Sequence, residues 1–402
     1  MAESAVHLVD QVLPEKPIRQ WVISFPFAIR LCLAVRPKIM TKALGIANSS
    51  ISAFYRKKAK LPKGHKGKTG SVTLIQRFGG SLNLNVHFHQ LYIDGVYEVG
   101  SANEEPKFHA CNAPTIQELS KVLNTIIKKL TRYLEKENII VKDEEHFQLP
   151  ISEEDAFSRL QASSVSYRFA TGPSKGKKAL VLRSVPETDH TEVKGLVVKE
   201  SGFSLHAGVE CQSHEREKLE RLCRYVTRPA IAEERLSMSA RGKVIYKLKR
   251  PWADGTTAIK LTPLELIERL ASLVPRPRVH LTRFHGVLAS HAKLRSQVVP
   301  KKLQPTGSGD PEPEARSDKE PTSKARRMSW KRLLKRVFAI DIEQCSRCGG
   351  KVKVIASIED PKVIKKILEH LNLPSTPPRP EEPARGPPES DEQLTFAQFE
   401  EI

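Results

Sequence analysis

The chain has 402 residues and a formal net charge of +20. That length exceeds one small core and predicts two or three units. Ser375–Ile402 holds seven acids and two Arg, so it is −5 and the remainder is +25. A body that basic points to nucleic acid or an anionic surface. No run of 18 apolar residues exists and no signal peptide opens the chain, so no membrane partner is expected. Six Cys are scattered except for Cys345 and Cys348, which fits a reducing cytosol better than a disulfide framework.

In chain order, Gln20–Pro26 (QWVISFP) predicts a first strand stopped by Pro26. Pro37–Lys60 is periodic as a helix, with Ile39, Met40, Ala43, Leu44, Ala47, Ile51, Phe54 and Tyr55 on one side. A basic loop follows: Arg56, Lys57, Lys58, Lys60, Lys63, Lys66 and Lys68. It is either a solvated loop or a phosphate-contacting patch beside a site. It immediately precedes the next strands, which favours the patch. Ser71–Phe78 predicts the second strand, and Gly79-Gly80 leads tightly into the third.

That third strand lies in Leu82–Tyr97 (LNLNVHFHQLYIDGVY), around which the rest is organised. Leu82, Leu84, Val86 and Phe88 alternate with Asn83, Asn85, His87 and His89. Successive side chains on a strand point to opposite faces, so the apolar set faces a core and the two His share the other face. Their backbones are about 6–7 Å apart by strand rise. Such a pair suits two ligands of one cation. By itself the stretch suits better a half-exposed strand with polar residues outward. Asp94-Gly95 reads as a turn.

Thr115–Leu134 predicts a packing helix with a capping box at Thr115 and Glu118. Ala179–Val185 and Val197–Lys199 predict further strands. Gly202–Cys211 (GFSLHAGVEC) alternates again, with His206 on its polar face as a candidate third imidazole. Ser213–Arg228 predicts a helix capped by Ser213 and ended by Pro229, with Leu219, Leu222, Cys223 and Val226 as its buried stripe. Tyr225 sits at the edge of that stripe among Arg221, Arg224 and Arg228. It reads as amphipathic packing or as a nucleophile held at a phosphate. Lys243–Lys249 and Thr256–Leu261 predict a hairpin, and Thr262 caps a helix running to Val274. The stretch from Arg276 to Arg295 adds cations, Arg283 among them, that fit DNA contact or ordinary surface.

Pro300–Lys324 reads as a linker. Trp330–Ile340 predicts a basic amphipathic helix. Cys345 and Cys348 then have the shape of half a zinc ribbon, although four ligands are not visible and His370 is a weak addition. Asp360-Pro361 caps a last helix, and the Pro-rich acidic tail is expected to be disordered.

The segments RQWVISFP, TLIQRFGGSLNLNVHFHQLYIDGVY, GFSLHAGVE, LERLCRYVTRPAIAEERLS, LTPLELIERLASLVPRPRVHLTRFHGVLASHAKLR and WKRLLKRVFAIDIEQCSRCGG together resemble the bacterial rolling-circle transposases of the HUH type. The nearest group is IS ninety-one and ISCR. The resemblance runs in order from about Ala5 to Pro374. It implies single-strand DNA cleavage by a Tyr, aided by Mg²⁺ or Mn²⁺ at the HUH histidines. His87 and His89 match that pair and Tyr225 matches the nucleophile. His206 as a third ligand comes from strand geometry. Arg221 stands where two-Tyr members carry their first Tyr, which marks a single-Tyr form. The family usually begins with a Cys-rich zinc-binding segment, and MAESAVHLVD looks like the point just after it.

The expected fold is α+β: an antiparallel HUH-type sheet with His87 and His89 on a central strand, helices on one face, and a small C-terminal Cys-containing module. The expected units are a nuclease core at 1–245, a basic DNA-contacting extension at 246–299, a linker at 300–326, a CxxC module at 327–374 and the tail at 375–402. Arg56, Lys57, Lys58, Lys60, Arg221, Arg224, Arg228 and Arg283 are the expected DNA contacts. Cys345 and Cys348 are the zinc candidates. Expected partners are single-stranded DNA and element ends, in the bacterial cytoplasm at the nucleoid, with room for a homodimer. The rival reading is a non-catalytic DNA-binding remnant. A zinc hydrolase fits less well, for HExxH is absent and the surroundings are basic.

Overall fold

The computed structural model describes residues 2–99, 105–139, 155–183, 196–249, 251–252, 254–300, 330–338, 340–345, 348–353 and 358–375. The linker beyond Pro300 and the tail beyond Ser375 fall outside the described residues. No described helix is long and apolar enough to cross a membrane.

The chain opens with α1 (Ala2–Gln11), then β1 (Ile18–Ser24), α2 (Phe27–Val35) and α3 (Pro37–Lys58). Pro37 starts α3 at a position where a helix needs no N–H. Next come β2 (Lys66–Lys68), β3 (Gly70–Phe78), β4 (Leu84–Ile93), β5 (Gly95–Val99) and β6 (Lys107–Ala110). The α4 helix (Ile116–Lys136) carries the expected capping box of Thr115 and Glu118. After α5 (Ala156–Val165), β7 (Leu180–Arg183), β8 (Val197–Glu200) and β9 (Phe203–Cys211) comes α6 (Arg216–Val226). The remainder holds β10 (Leu236–Met238), β11 (Val244–Lys247), β12 (Thr256–Leu261), α7 (Pro263–Leu273), β13 (Thr282–Gly286), α8 (Arg295–Val298), α9 (Trp330–Phe338) and α10 (Pro361–His370).

The main sheet is antiparallel, in the order β13-β3-β4-β1-β9-β8, so β4 is central as expected. Two smaller antiparallel sheets, β10-β11-β12-β7 and β2-β5-β6, flank it. The fold is mixed α+β. Asp94 does not turn a hairpin: β5 leaves the main sheet and pairs with β2 and β6 instead. Gly95 makes that departure feasible, because a Cβ there would collide with the His109 carbonyl on β6.

Helices cover both faces of the main sheet, where one face was expected. On one side Trp21, Ile23, Phe88 and Tyr92 pack with α2, α3 and α4. On the other, Ile18, Leu74, Leu91 and Ile93 pack with α1 and α6. The reason is visible in β1, whose seven residues are all buried: the strand is apolar on both faces except at Arg19, Gln20 and Ser24. Arg19 is neutralised on the α3 side by Asp94 at 2.7 Å, and Tyr55 donates to the other Asp94 oxygen at 2.9 Å.

The segment 246–299 is no appended extension. The 245/246 boundary cuts β11, and β13 supplies the edge strand of the main sheet. At the C-terminal end, α9 is tied to α1 and α6 by Arg336, which meets Asp10 and Glu220 at 2.6 Å each.

Candidate active site

Strand alternation puts His87 and His89 on the α6 side of β4, with ring centroids 4.9 Å apart. Their partner is on β3. The β3–β4 register sets Gln76 opposite His87, and the Gln76 amide oxygen lies 2.9 Å from His87 Nε2 and 3.1 Å from His89 Nε2. The imidazoles therefore converge on one point, where an oxygen already sits.

Proton accounting at that point is informative. His87 Nδ1 lies 2.9 Å from the Asn85 carbonyl, which can only accept, so Nδ1 carries the proton. A neutral His87 then aims the Nε2 lone pair at the Gln76 oxygen. A bridging cation would use both lone pairs, while a second ring proton or a turned Gln76 amide satisfies the contact without one. Adjacent ligands of an octahedral Mg²⁺ at 2.0–2.1 Å are about 2.9–3.0 Å apart. His87, His89 and Gln76 thus fit a small divalent ion in donor chemistry and in spacing. Among the described residues no three His, Cys, Asp or Glu side chains are grouped to hold a metal, so the third donor here is an amide.

His89 is buried and held neutral. Burial pushes its pKa well below the ordinary His value, and the neighbouring His87, Arg228 and His206 add to the effect. His89 Nδ1 meets Gln20 Nε2 at 2.8 Å, from β1.

The helix α6 brings Tyr225 to this pair. Leu219, Leu222, Cys223 and Val226 bury one stripe of α6 as expected. Glu215, and not Ser213, stands at its N-cap. The Tyr225 ring stands edge-on to the His89 ring at 6.4 Å between centroids and 82° between planes. Tyr225, expected at the edge of that stripe, is only 4% exposed. Two cations lie over it: the Arg228 guanidinium at 4.4 Å and Lys249 Nζ at 5.3 Å from the ring centroid. Of the three Arg expected around Tyr225, Arg228 lies over the ring. Arg224 Nη1 is buried with no hydrogen-bond partner, and Arg221 is half-buried.

The other expected residues lie elsewhere. His206 is on the same face and in the same row as His89, but Val22 stands between them across the sheet. It does not close a three-His group with the pair. Burial lowers its pKa to about 4, and its Nδ1 is buried with no hydrogen-bond partner.

The Arg56–Lys60 patch is at the C-terminal end of α3, near Asp94. That is the opposite face of the sheet from His87 and the opposite end of β4, so the patch does not border the pair. Lys58 is already engaged, with Glu118 and the Ala113 carbonyl. Arg283 pairs with Thr73 on the edge strand, also on the far face. Tyr55 is fully buried there, and burial together with Asp94 raises its pKa well above the ordinary phenol value.

Cys345 and Cys348 occupy a tight turn: Gly349 N–H donates to the Cys345 carbonyl and Cys345 N–H to the Gly350 carbonyl. Among the described residues no third His, Cys, Asp or Glu joins them in a metal-binding group.

Sequence reading missed Gln76, Gln20 and Lys249. Gln76 had a signal. It continues the Val72, Leu74 alternation of β3, and a register shift between Gln76 and Phe78 sets it across from His87.

No curated protein and no solved structure matches the chain. Residues 70–296 match the family described as "Putative transposase". That span carries β3, β4 and α6, and with them Gln76, His87, His89 and Tyr225. It is more than half of the 402 residues, and the chain belongs to this transposase family.

Proposed function

We propose that this transposase is of the HUH type and cuts one DNA strand with Tyr225, as in rolling-circle transposition. The observation that carries the reading is the juxtaposition of the Tyr225 ring with the converging His87–His89–Gln76 donors. Those three residues would hold Mg²⁺ or Mn²⁺. A bound ion would act as a Lewis acid on the scissile phosphate and orient it for in-line attack.

The chain's own residues supply the rest. The phenol oxygen of Tyr225 attacks phosphorus, the P–O3′ bond breaks, and a 5′-phosphotyrosine and a 3′-OH result. The phosphodiester bond energy is stored in the ester, so rejoining needs no ATP. Arg228 and Lys249 place positive charge at the ring, which favours the phenolate form and the incoming phosphate. Phosphate contacts from Arg221 and Arg224 on α6 fit this path. The patch at Arg56, Lys57, Lys58 and Lys60, with Arg283, serves DNA on the far side of the sheet.

Incubation with end-labelled single-stranded DNA and Mn²⁺ tests the reading. Nicked product that disappears with EDTA supports it. DNA binding with no nicking under any divalent metal favours the non-catalytic remnant.

A further inference from the structure

Gln20 lies on β1, fully buried, and its only described polar contact is with a histidine of the candidate metal site. Its Nε2 is 2.8 Å from His89 Nδ1, while its Oε1 is buried with no hydrogen-bond partner. A primary amide can turn about its last torsion and present either a donor or an acceptor at nearly the same place. The two presentations impose opposite tautomers on His89.

With Nε2 of Gln20 inward, the amide donates to His89 Nδ1. His89 must then carry its proton on Nε2, where it donates to the Gln76 oxygen 3.1 Å away. That chain is self-consistent, and it leaves His89 Nε2 with no lone pair for a cation. With Oε1 of Gln20 inward, the amide accepts from His89 Nδ1–H. His89 Nε2 then offers a lone pair at the point where His87 Nε2 and the Gln76 oxygen already converge. The neutral ring holds one proton in both states, exchanged through solvent. His87 needs no such device, because the Asn85 carbonyl fixes its proton on Nδ1 permanently.

We propose that Gln20 is a positioning residue whose amide orientation selects the His89 tautomer, donor-inward without a cation and acceptor-inward with one. The proposal rests on the reading of His87, His89 and Gln76 as a cation site. It adds a residue on a different strand that touches neither substrate nor ion. Groups that hold the remote nitrogen of a ligating histidine fix its tautomer, and their loss typically weakens metal binding 10–100-fold.

The test uses the full chain, labelled with ¹⁵N-histidine, and two variants. Gln20→Leu keeps the volume and removes both donor and acceptor. Gln20→Glu, when ionised, keeps only acceptors. Proton–nitrogen correlation spectra report the His89 tautomer without metal, and calorimetry reports Mn²⁺ affinity. Without metal, His89 should carry its proton on Nε2 in the wild type and on Nδ1 in Gln20→Glu. Mn²⁺ affinity should fall about 10–100-fold in Gln20→Leu and be retained in Gln20→Glu. The same metal-free tautomer in wild type and Gln20→Glu overturns the proposal, as does unchanged Mn²⁺ affinity in Gln20→Leu. If the wild type binds no divalent ion while the tautomers differ as stated, the cation-site reading fails and the control of His89 by Gln20 stands.

Discussion

When His87 is neutral with its proton on Nδ1, its Nε2 faces the Gln76 amide oxygen at 2.9 Å. A bridging cation would use both, and removing one side of that contact should weaken cation binding. Gln76→Leu is expected to raise the Mn²⁺ dissociation constant about tenfold or more, and Gln76→Glu to lower it by adding a charge. Calorimetric titration measures both. Equal affinities in the two variants would remove Gln76 from the site.

Lys249 comes from the loop between β11 and β12, far in sequence from α6, and lies 5.3 Å from the Tyr225 ring centroid. As one of two cations there, it is expected to stabilise charge at the phenol oxygen and the attacked phosphate. Lys249→Met should slow single-strand cleavage roughly tenfold to a hundredfold, at or below the contribution of one preorganised donor. DNA affinity should change far less. Quenched-flow cleavage rates beside filter-binding constants separate the two effects.

The shared face of His87 and His89 was legible because β4 alternates, and the place of Tyr225 beside the buried stripe because α6 has one clear stripe. The face of Gln76 follows from the alternation of β3, but its partner does not, because a register shift between Gln76 and Phe78 separates it from the return. Gln20 was hidden because its position depends on pairing between strands distant in sequence, β1 with β4, and Lys249 because the expected β11–β12 hairpin does not itself reveal that its connection lies over α6. The α1 part of the second helical layer also went unread, although Ala5, Leu8 and Val9 in α1, with Val12 just after it, are spaced as a helix stripe. In β1, Ile18 and Val22 on one face and Trp21 and Ile23 on the other were the clue that both faces are covered. The basic loop misled because nearness in sequence to the His strand was taken for nearness in space. α3 carries the loop to the opposite face.

The buried Arg19–Asp94 pair should dominate stability on that opposite face. Both side chains are at most 4% exposed. Asp94→Ala leaves the buried Arg19 guanidinium only Glu210 and the Ala207 carbonyl, and is expected to cost up to about 3–5 kcal/mol. Tyr55→Phe removes only the phenol hydroxyl between Trp21 Nε1 and Asp94, and should cost about 1–3 kcal/mol. Urea denaturation orders the two. Tyr55→Phe should also cleave DNA normally, since its hydroxyl is locked away from the His pair.

His206 should make the protein acid-sensitive. Its folded pKa is about 4 against 6.5 for the free side chain, because burial disfavours the charged ring. The unfolded chain therefore binds the extra proton first. Stability from this residue is full above about pH 6.5 and is lost as pH falls toward 4, on the order of 3 kcal/mol in all. Urea midpoints for wild type and His206→Gln at pH 7 and 4.5 check the sign. The variant should lose less on acidification, and an equal loss in both would rule out His206 as a source.

Covalent capture tests the role of Tyr225 most directly. With labelled single-stranded DNA and Mn²⁺, the wild type is expected to form a denaturation-resistant adduct, and peptide mapping should place it on Tyr225. Tyr225→Phe should form none while binding DNA nearly as well, because Arg and Lys supply the phosphate contacts. An undiminished adduct in Tyr225→Phe, or one mapped to another residue, would contradict the assignment.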